Sequence, residues 1–459
     1  MSDTSLKKAE RLIDCFSSFE LEPLRGAAYD AMFCNTNEAR MGDKNGDPIS
    51  DLIDNYMTAK GPKHTLVIGH RGCGKSTEME RFNRHMKNES YLVANFSVRD
   101  KLDLLTATYI DLLVMLMVEL VNICDKSEKI ELSNSVAEDI YYYWKRVTEK
   151  EIMKGTSLEG KLEAGVKGEA DTPATGFFRA IASFFGNFGG AFKVERITRT
   201  HIKTIIEPEI VEFIALIRRI AIDIGNGLRK QGRPELPIIV LDDLDKLEPP
   251  RAKELFFDHG STLALLPFHV IYTFPIQLTY APEFNSMLGY FEYVLLPMIK
   301  LRSWDNHQYE RFDEGWAVID KIVRKRADEA LFEKEALNYM IEKTGGYLRD
   351  LFRVIINAVR RANRRGVSSV EMEDAKAATV ELKSEIGRMI TGNDIEILKM
   401  IYNGKKQIIQ KREALLDLLQ SRAVLEYNGA RWCDLHPLLE ELLLDNKIIG
   451  KKPAVNENE

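Results

Sequence analysis

The short β-branched and apolar run Thr65-Leu66-Val67-Ile68 leads straight into Gly69-His70-Arg71-Gly72-Cys73-Gly74-Lys75-Ser76-Thr77, and then into the helical pattern Glu78-Met79-Glu80-Arg81-Phe82. This is G-x-x-x-x-G-K-[ST] between a strand and a helix, and no other feature restricts the fold as much. An apolar strand of this kind belongs inside a parallel sheet, and parallel neighbours require crossovers, so an α/β core is expected. The glycines let the backbone curl with its N–H groups inward, and the helix that follows adds its positive end, together forming a cradle for a phosphate chain. Gly69, His70, Arg71, Gly72, Cys73, Gly74, Lys75, Ser76 and Thr77 are therefore the candidate nucleotide-binding residues. In that role Lys75 reaches the β- and γ-phosphates and the Ser76 hydroxyl ligates Mg²⁺. His70, Arg71 and Cys73 occupy free positions of the motif, and their side chains are expected to pack or face solvent.

Such a loop needs an acidic strand beside it. Pro237-Ile238-Ile239-Val240-Leu241-Asp242-Asp243-Leu244-Asp245 supplies one, with its carboxylates at the C-terminal edge where α/β sheets bind ligands. Asp242 is placed at the Mg²⁺ hydration shell, and Asp243 is placed to orient or deprotonate the attacking water. Asp245 reads as a helix N-cap or surface acid rather than a third catalytic group. The next strand, His269-Val270-Ile271-Tyr272-Thr273, ends in a polar residue; Thr273 either sits beside the γ-phosphate or is a strand residue without a role. Tyr293-Val294-Leu295-Leu296 makes a further strand.

From about Asn306 to Gly387 the period is helical, with Leu331, Ala336, Leu337, Met340 and Ile341 on one face. Thr344-Gly345-Gly346-Tyr347-Leu348-Arg349-Asp350 then opens another helix. Its Arg349 falls in the first turn, where a cation is disfavoured unless it serves an external anion. Arg353, Arg360, Arg361, Arg364 and Arg365 continue as a basic stripe, read as a solvated face or subunit contact ahead of a DNA contact. Beyond Asn393 come two helices, the hairpin signal Asn428-Gly429 between two short strands, and a last helix after Pro437: the pattern of a winged helix. That unit holds ten basic and eleven acidic residues, so a protein-binding or packing role is favoured over DNA reading. The whole chain is similarly balanced, with 64 Lys and Arg against 70 Asp and Glu.

Between Asn95-Phe96-Ser97 and Ile238 lie about 140 residues, far more than one crossover needs. Within them, Gly155 to Gly190 is glycine-rich and carries Phe177, Phe178, Phe184, Phe185 and Phe188. Packing on the core or another subunit is favoured there over a membrane or effector contact or plain disorder. Tyr109 to Cys124 is apolar but interrupted by Asp111 and Glu119, which makes it a buried helix rather than a membrane span. The five cysteines are scattered without paired spacing, and Met1 to Lys8 lacks the apolar core of a signal peptide. A reduced, cytoplasmic protein is expected.

Taken together, GHRGCGKST, IIVLDDLDKL, the polar-ended strand, GGYLRDL and the terminal winged-helix pattern resemble the AAA+ ATPases, nearest to the origin-recognition-complex-like and STAND branch. The resemblance implies an ASCE P-loop core at 1–302 with an insert at about 125–205, a helical lid at 303–388 and a winged-helix domain with tail at 389–459. It implies ATP and Mg²⁺ as ligands, Thr273 as sensor 1, and Arg349 as a sensor 2 reading the γ-phosphate from the lid. Asp243, Lys75, Thr273 and Arg349 form the implied catalytic set. Members of this branch are largely bacterial or archaeal, and many are ATP-dependent switches in antiphage defence beside a separate effector. Self-association and an effector protein are the implied partners; DNA binding as an initiator or transposition regulator is the alternative, and a membrane is disfavoured. No arginine occurs from Phe274 to Lys300, where oligomeric members place a finger; Lys300 and Arg302 are the nearest substitutes, and slow turnover follows.

Overall fold

The computed structural model describes residues 7–43, 45–124, 130, 132–152, 202–305, 308–404, 412–427 and 432–450. Five parallel strands form the central sheet: β1 (His64–Gly69), β2 (Val93–Ser97), β3 (Ile238–Asp242), β4 (His269–Pro275) and β5 (Glu292–Leu295), in the order β2-β3-β4-β1-β5. β4 lies between the strand that feeds the loop and the strand that carries the acids. The chain is thus a P-loop α/β protein with additional helical parts.

Alternation along the strands sends side chains to two helical layers, which is why the interior strands are apolar throughout. Val67, Val240 and Ile271 meet α1 (Pro48–Met57) and α2 (Lys75–Asn88) through Ile53, Tyr56, Met79 and Phe82. Leu66, Ile68, Leu241 and Tyr272 belong to the opposite cluster, shared with α3 (Tyr109–Asn122), α4 (Asn134–Ile152) and α5 (Ile210–Lys230). α3 is the apolar Tyr109–Cys124 segment, and it is buried. Its interrupting Asp111 accepts from the Thr108 N–H and pairs with Lys203 at 2.7 Å, so the charge enters the interior only with partners. The Phe-rich segment between 155 and 192 and the Asn428-Gly429 turn lie outside the described residues.

After the sheet, Arg302–Asp305 (β6) and Gln308–Arg311 (β7) pair antiparallel, so helix begins only at α6 (Asp313–Arg326), later than the period suggests. α7 (Lys334–Thr344), α8 (Leu348–Arg365) and α9 (Met372–Arg388) follow. The last segment is α10 (Ile395–Gly404), α11 (Arg412–Gln420), β8 (Val424–Tyr427), β9 (Trp432–Leu435) and α12 (Pro437–Asp445). Ile319, Met340, Ile355, Leu382, Leu398, Leu418 and Leu439 share one hydrophobic cluster, so no break in the core separates 303–388 from 389 onward.

The first residues depart from the expected core assignment. Ala9, Leu12, Cys15, Phe19 and Ala39 pack into that second cluster, and Ala9 bridges to Ala327 at the end of α6. The N-terminal segment therefore packs with the helices α6 to α9 that follow the sheet. Lys300 is also displaced from its suggested role. Its side chain is buried with Nζ 4.4 Å from the Phe312 ring centroid, so it is enclosed within its own subunit and does not extend toward another. All five cysteines are free and buried.

Candidate nucleotide site

The loop between β1 and α2 holds two left-handed glycines, Gly72 at φ 86° and Gly74 at φ 109°. At both positions a side chain would be strained, and at Gly72 a Cβ would also lie 2.9 Å from Arg349 Cδ. Gly72, Gly74, Lys75, Ser76 and Thr77 face a cleft whose far walls come from the N-terminal segment and from α6 and α8. The remaining loop residues turn away. His70 is completely buried, and its Nε2 accepts the Glu426 N–H of β8 at 2.8 Å; burial, with Lys75 and Arg422 nearby, pushes its pKa down to about 3. Cys73 joins Leu296, Tyr347, Leu425 and Tyr427 in a small apolar cluster. Gly69 is pressed against β5, where a Cβ would meet Leu296 O at 2.7 Å.

Lys75 Nζ donates to Gly69 O at 2.9 Å and His70 O at 3.0 Å, and pairs with Asp245 Oδ2 at 2.8 Å. Burial alone would lower the ammonium pKa, but Asp245 outweighs it and holds the group above its usual value. Asp245 is therefore neither a cap nor a surface acid; its carboxylate is turned into the site. The reason is local: Asp243 takes a left-handed conformation, φ 73°, and the 3₁₀ turn that starts there folds the chain back toward the loop.

Asp242 lies at the end of β3, where its Oδ1 accepts the Asp243 N–H at 2.8 Å and its carboxylate bonds to the Ser76 hydroxyl. Burial raises its pKa, with Asp243 and Asp245 adding to the rise. Carboxylate oxygens of Asp242, Asp243 and Asp245 come within 4.8 Å of one another. Three acids this close, one of them raised, form a donor set suited to a hard divalent cation, and Ser76 adds a hydroxyl. Asp243 differs from its neighbour. Burial pushes it up, but hydrogen bonds from Lys246 and from Ser97 Oγ at 2.7 Å outweigh that and hold it below the usual carboxylate range. A carboxylate held ionised in this way is a weak base, which favours orienting a water over deprotonating it.

Thr273 is not on the cleft. Its hydroxyl accepts from Leu244 N at 3.0 Å and Asp245 N at 3.4 Å and donates toward Leu241 O, and the side chain has no exposure. The group is spent on the backbone of the acidic turn, which departs from its expected place beside the γ-phosphate. Arg349 does face the cleft, against Gly72, and the hydroxyl of Tyr347, two residues earlier, donates to Arg71 O.

Two buried arginines in the cleft were invisible in the sequence. Arg40 donates to Thr36 Oγ1 at 2.7 Å, to Cys73 O at 2.6 Å and to Pro297 O, so it clamps the loop to the end of the sheet. Arg326, at the end of α6, lies among Met32, Cys34, Ile322 and Phe352. Neither belongs to a motif, and each bonds to carbonyls that the sequence does not reveal.

Neither a family model nor a curated protein matches the sequence. Several solved structures share a loose overall likeness. The Aeropyrum pernix ORC2 protein in ADPNP–ADP complexes is 12% identical over 94% of this chain and 97% of its own, with a TM-score of 0.40. The Aeropyrum pernix ORC1 protein in complex with DNA is 12% identical over 87% and 92%, with a TM-score of 0.36. The Thermotoga maritima RuvB Holliday junction branch migration motor is 9% identical over 87% and 93%, also at 0.36.

Proposed function

We propose that the chain is an ATP-binding, slowly hydrolysing switch of AAA+/STAND type, whose nucleotide state is passed to a partner protein. The observation that carries this reading is that sheet, lid and C-terminal hairpin all meet on one loop. Lys75 and the left-handed glycines face the cleft, Tyr347 and Arg349 touch Arg71 and Gly72 from the lid, and Glu426 holds His70 from behind. A phosphate chain entering that loop changes the partners of Lys75, and each of the three segments is within one contact of the change.

The chain's own residues divide the work. The loop N–H groups and Lys75 hold the phosphates once Lys75 exchanges the Gly69 and His70 carbonyls for phosphate oxygens. Ser76, Asp242 and Asp245 would hold Mg²⁺, which supplies charge neutralisation on the phosphates when bound. Asp243, kept ionised by Lys246 and Ser97, orients the attacking water. Arg349 reads the terminal phosphate from the lid, and Thr273 holds the Asp243–Asp245 turn in register. Lys300 is enclosed and unavailable as a finger for a neighbour, which suits slow turnover; Arg302 is partly exposed, 4.0 Å from Glu342.

A separate effector, self-association, a place in antiphage defence and a cytoplasmic setting all belong to this proposal. The competing reading, a DNA-binding initiator, draws on exposed Arg361 and Arg364, which have no carboxylate partner among the described residues. Arg360, also exposed, donates to Asn357 Oδ1 and has no carboxylate partner among the described residues, whereas Arg353 pairs with Glu385, and Arg365 with Glu371 and Asp374. No helix among the described residues is long and apolar enough to cross a membrane. Calorimetry with ATP and Mg²⁺ tests the switch reading: wild type and Asp243→Asn bind and Lys75→Ala does not. Equal binding by Lys75→Ala overturns it. ATP-dependent, salt-sensitive duplex binding moves the function to the DNA reading.

A further inference from the structure

The cleft has two unlike halves. The half at Gly72 to Thr77 is polar and carries Lys75 and Arg349. The other is lined by the apolar side chains of Leu24, Met32, Ile322, Leu348 and Phe352. Phe352 follows Arg349 by three residues on α8, just under one turn and about 4.5 Å along the helix axis.

Arg326 is the basic side chain set into that apolar half. It is 7% exposed, its Cζ stands 4.9 Å from the Phe352 ring centroid, and its Nη1 gives one hydrogen bond, to Ile322 O at 3.1 Å. It has no carboxylate partner among the described residues, whereas its neighbours are fully used: Arg324 pairs with Asp320 and Glu329, and Lys325 donates to Phe33 O at 2.8 Å. Burial pulls its pKa down to about 10, with Cys34 acting the other way, as suits a guanidinium desolvated without an anion. A cation at the end of a helix gains from the helix dipole, and Lys325 and Arg324 already occupy that end of α6. The Nε and Nη2 of Arg326 are not among the buried orphaned atoms, so the donors that Ile322 does not take open on the cleft, where a ligand can accept from them in place of water.

We infer that Arg326 is the nucleobase-reading residue of the cleft, its guanidinium donating to acceptor atoms on the edge of a purine whose face lies on the apolar wall. This deepens the nucleotide-switch reading and rests on it. The ligand class is a purine nucleoside triphosphate rather than a bare polyphosphate, because the donors serve ring nitrogens or a carbonyl and Phe352 braces the guanidinium plane from one side.

The test compares ATP with inorganic tripolyphosphate, each with Mg²⁺, by calorimetry on wild type, Arg326→Met and Arg326→Lys. Loss of a charge-assisted hydrogen bond to the base should weaken ATP by roughly 10- to 100-fold in Arg326→Met, with a smaller loss in Arg326→Lys. Tripolyphosphate affinity should not change in either variant. Equal weakening of both probes assigns Arg326 to the phosphates or to folding and overturns the inference, as does unchanged ATP affinity. Should Arg326→Met fail to fold, Arg326→Lys keeps the charge and bulk and carries the same comparison. Failure of wild type to bind either probe would instead defeat the nucleotide reading itself.

Discussion

The two faces of the phosphate loop are built for different purposes from nine consecutive residues. On the cleft side stand Gly72, Gly74, Lys75, Ser76 and Thr77, with small or polar groups presented to an open space. On the other side His70 and Cys73 have no contact with that space; they hold the β8 backbone and a small apolar cluster that includes Tyr347 and Tyr427. The cleft face leaves its backbone toward open space, and the rear face spends its side chains on another part of the chain. A loop used on both sides cannot respond to one partner without consequence for the other.

Substitutions on either face should separate the two roles. The largest effect is expected from Asp243→Asn, which keeps the shape but loses the ionised group that orients water; steady-state phosphate release should fall by roughly 10²- to 10⁴-fold while ATP still binds. Turnover at the wild-type rate would remove Asp243 from the mechanism. Next, Lys75→Ala should weaken Mg²⁺–ATP by at least roughly 100-fold in calorimetry, yet leave the rear face and the fold intact by circular dichroism. A melted hairpin in that variant would mean the faces are not separable.

The rear face is best probed by acid. Burial pushes the pKa of His70 down to about 3; His64 and His269, at the starts of β1 and β4 and away from the loop, are pushed down to about 4. An unfolded histidine titrates near 6.5, so between about pH 6.5 and pH 4 the unfolded chain binds more protons and stability rises with pH. Urea midpoints should therefore drop from pH 7 to pH 5, with each buried histidine contributing about 1–2 kcal/mol of the loss. His70→Gln should flatten that slope, and an unchanged slope would contradict the buried, neutral assignment. The smallest effect on nucleotide binding is expected from Thr273→Val, which strips the acceptor from two backbone N–H groups of the acidic turn. It should cost about 1–3 kcal/mol in stability and slow turnover without weakening ATP binding. A selective loss of ATP affinity would instead restore Thr273 to the phosphate.

The comparison also marks what the sequence could disclose. The cleft face was legible because phosphate chemistry forces its residues to be contiguous: the glycines, Lys75 and Ser76 stand in one run, and Asp242 and Asp243 end one apolar strand. The parallel sheet followed from the same runs. Asp245 was misjudged because its inward turn depends on the left-handed Asp243, and Asp is only an occasional occupant of that region. Thr273 was misjudged because a strand-end hydroxyl can turn toward a ligand or toward a neighbouring strand, and only the β3–β4 register decides. Arg40 and Arg326 gave no signal at all. Their partners are carbonyls and rings brought together by the tertiary fold, Pro297 lying 257 residues from Arg40. The apolar end of the cleft was equally hidden, since Leu24 and Met32 come from the N-terminal segment and Ile322, Leu348 and Phe352 from α6 and α8, about 300 residues on.

The most direct test of the two-faced loop is hydrogen exchange at the β8 amides, Val424 to Tyr427, in Asp243→Asn protein with and without Mg²⁺–ATP. The Glu426 amide, which donates to His70, should change its protection when nucleotide fills the cleft, and Lys75→Ala should show no change. Identical exchange in the two states, with ATP binding verified by calorimetry in the same sample, would contradict coupling between the faces and leave the loop a ligand site alone.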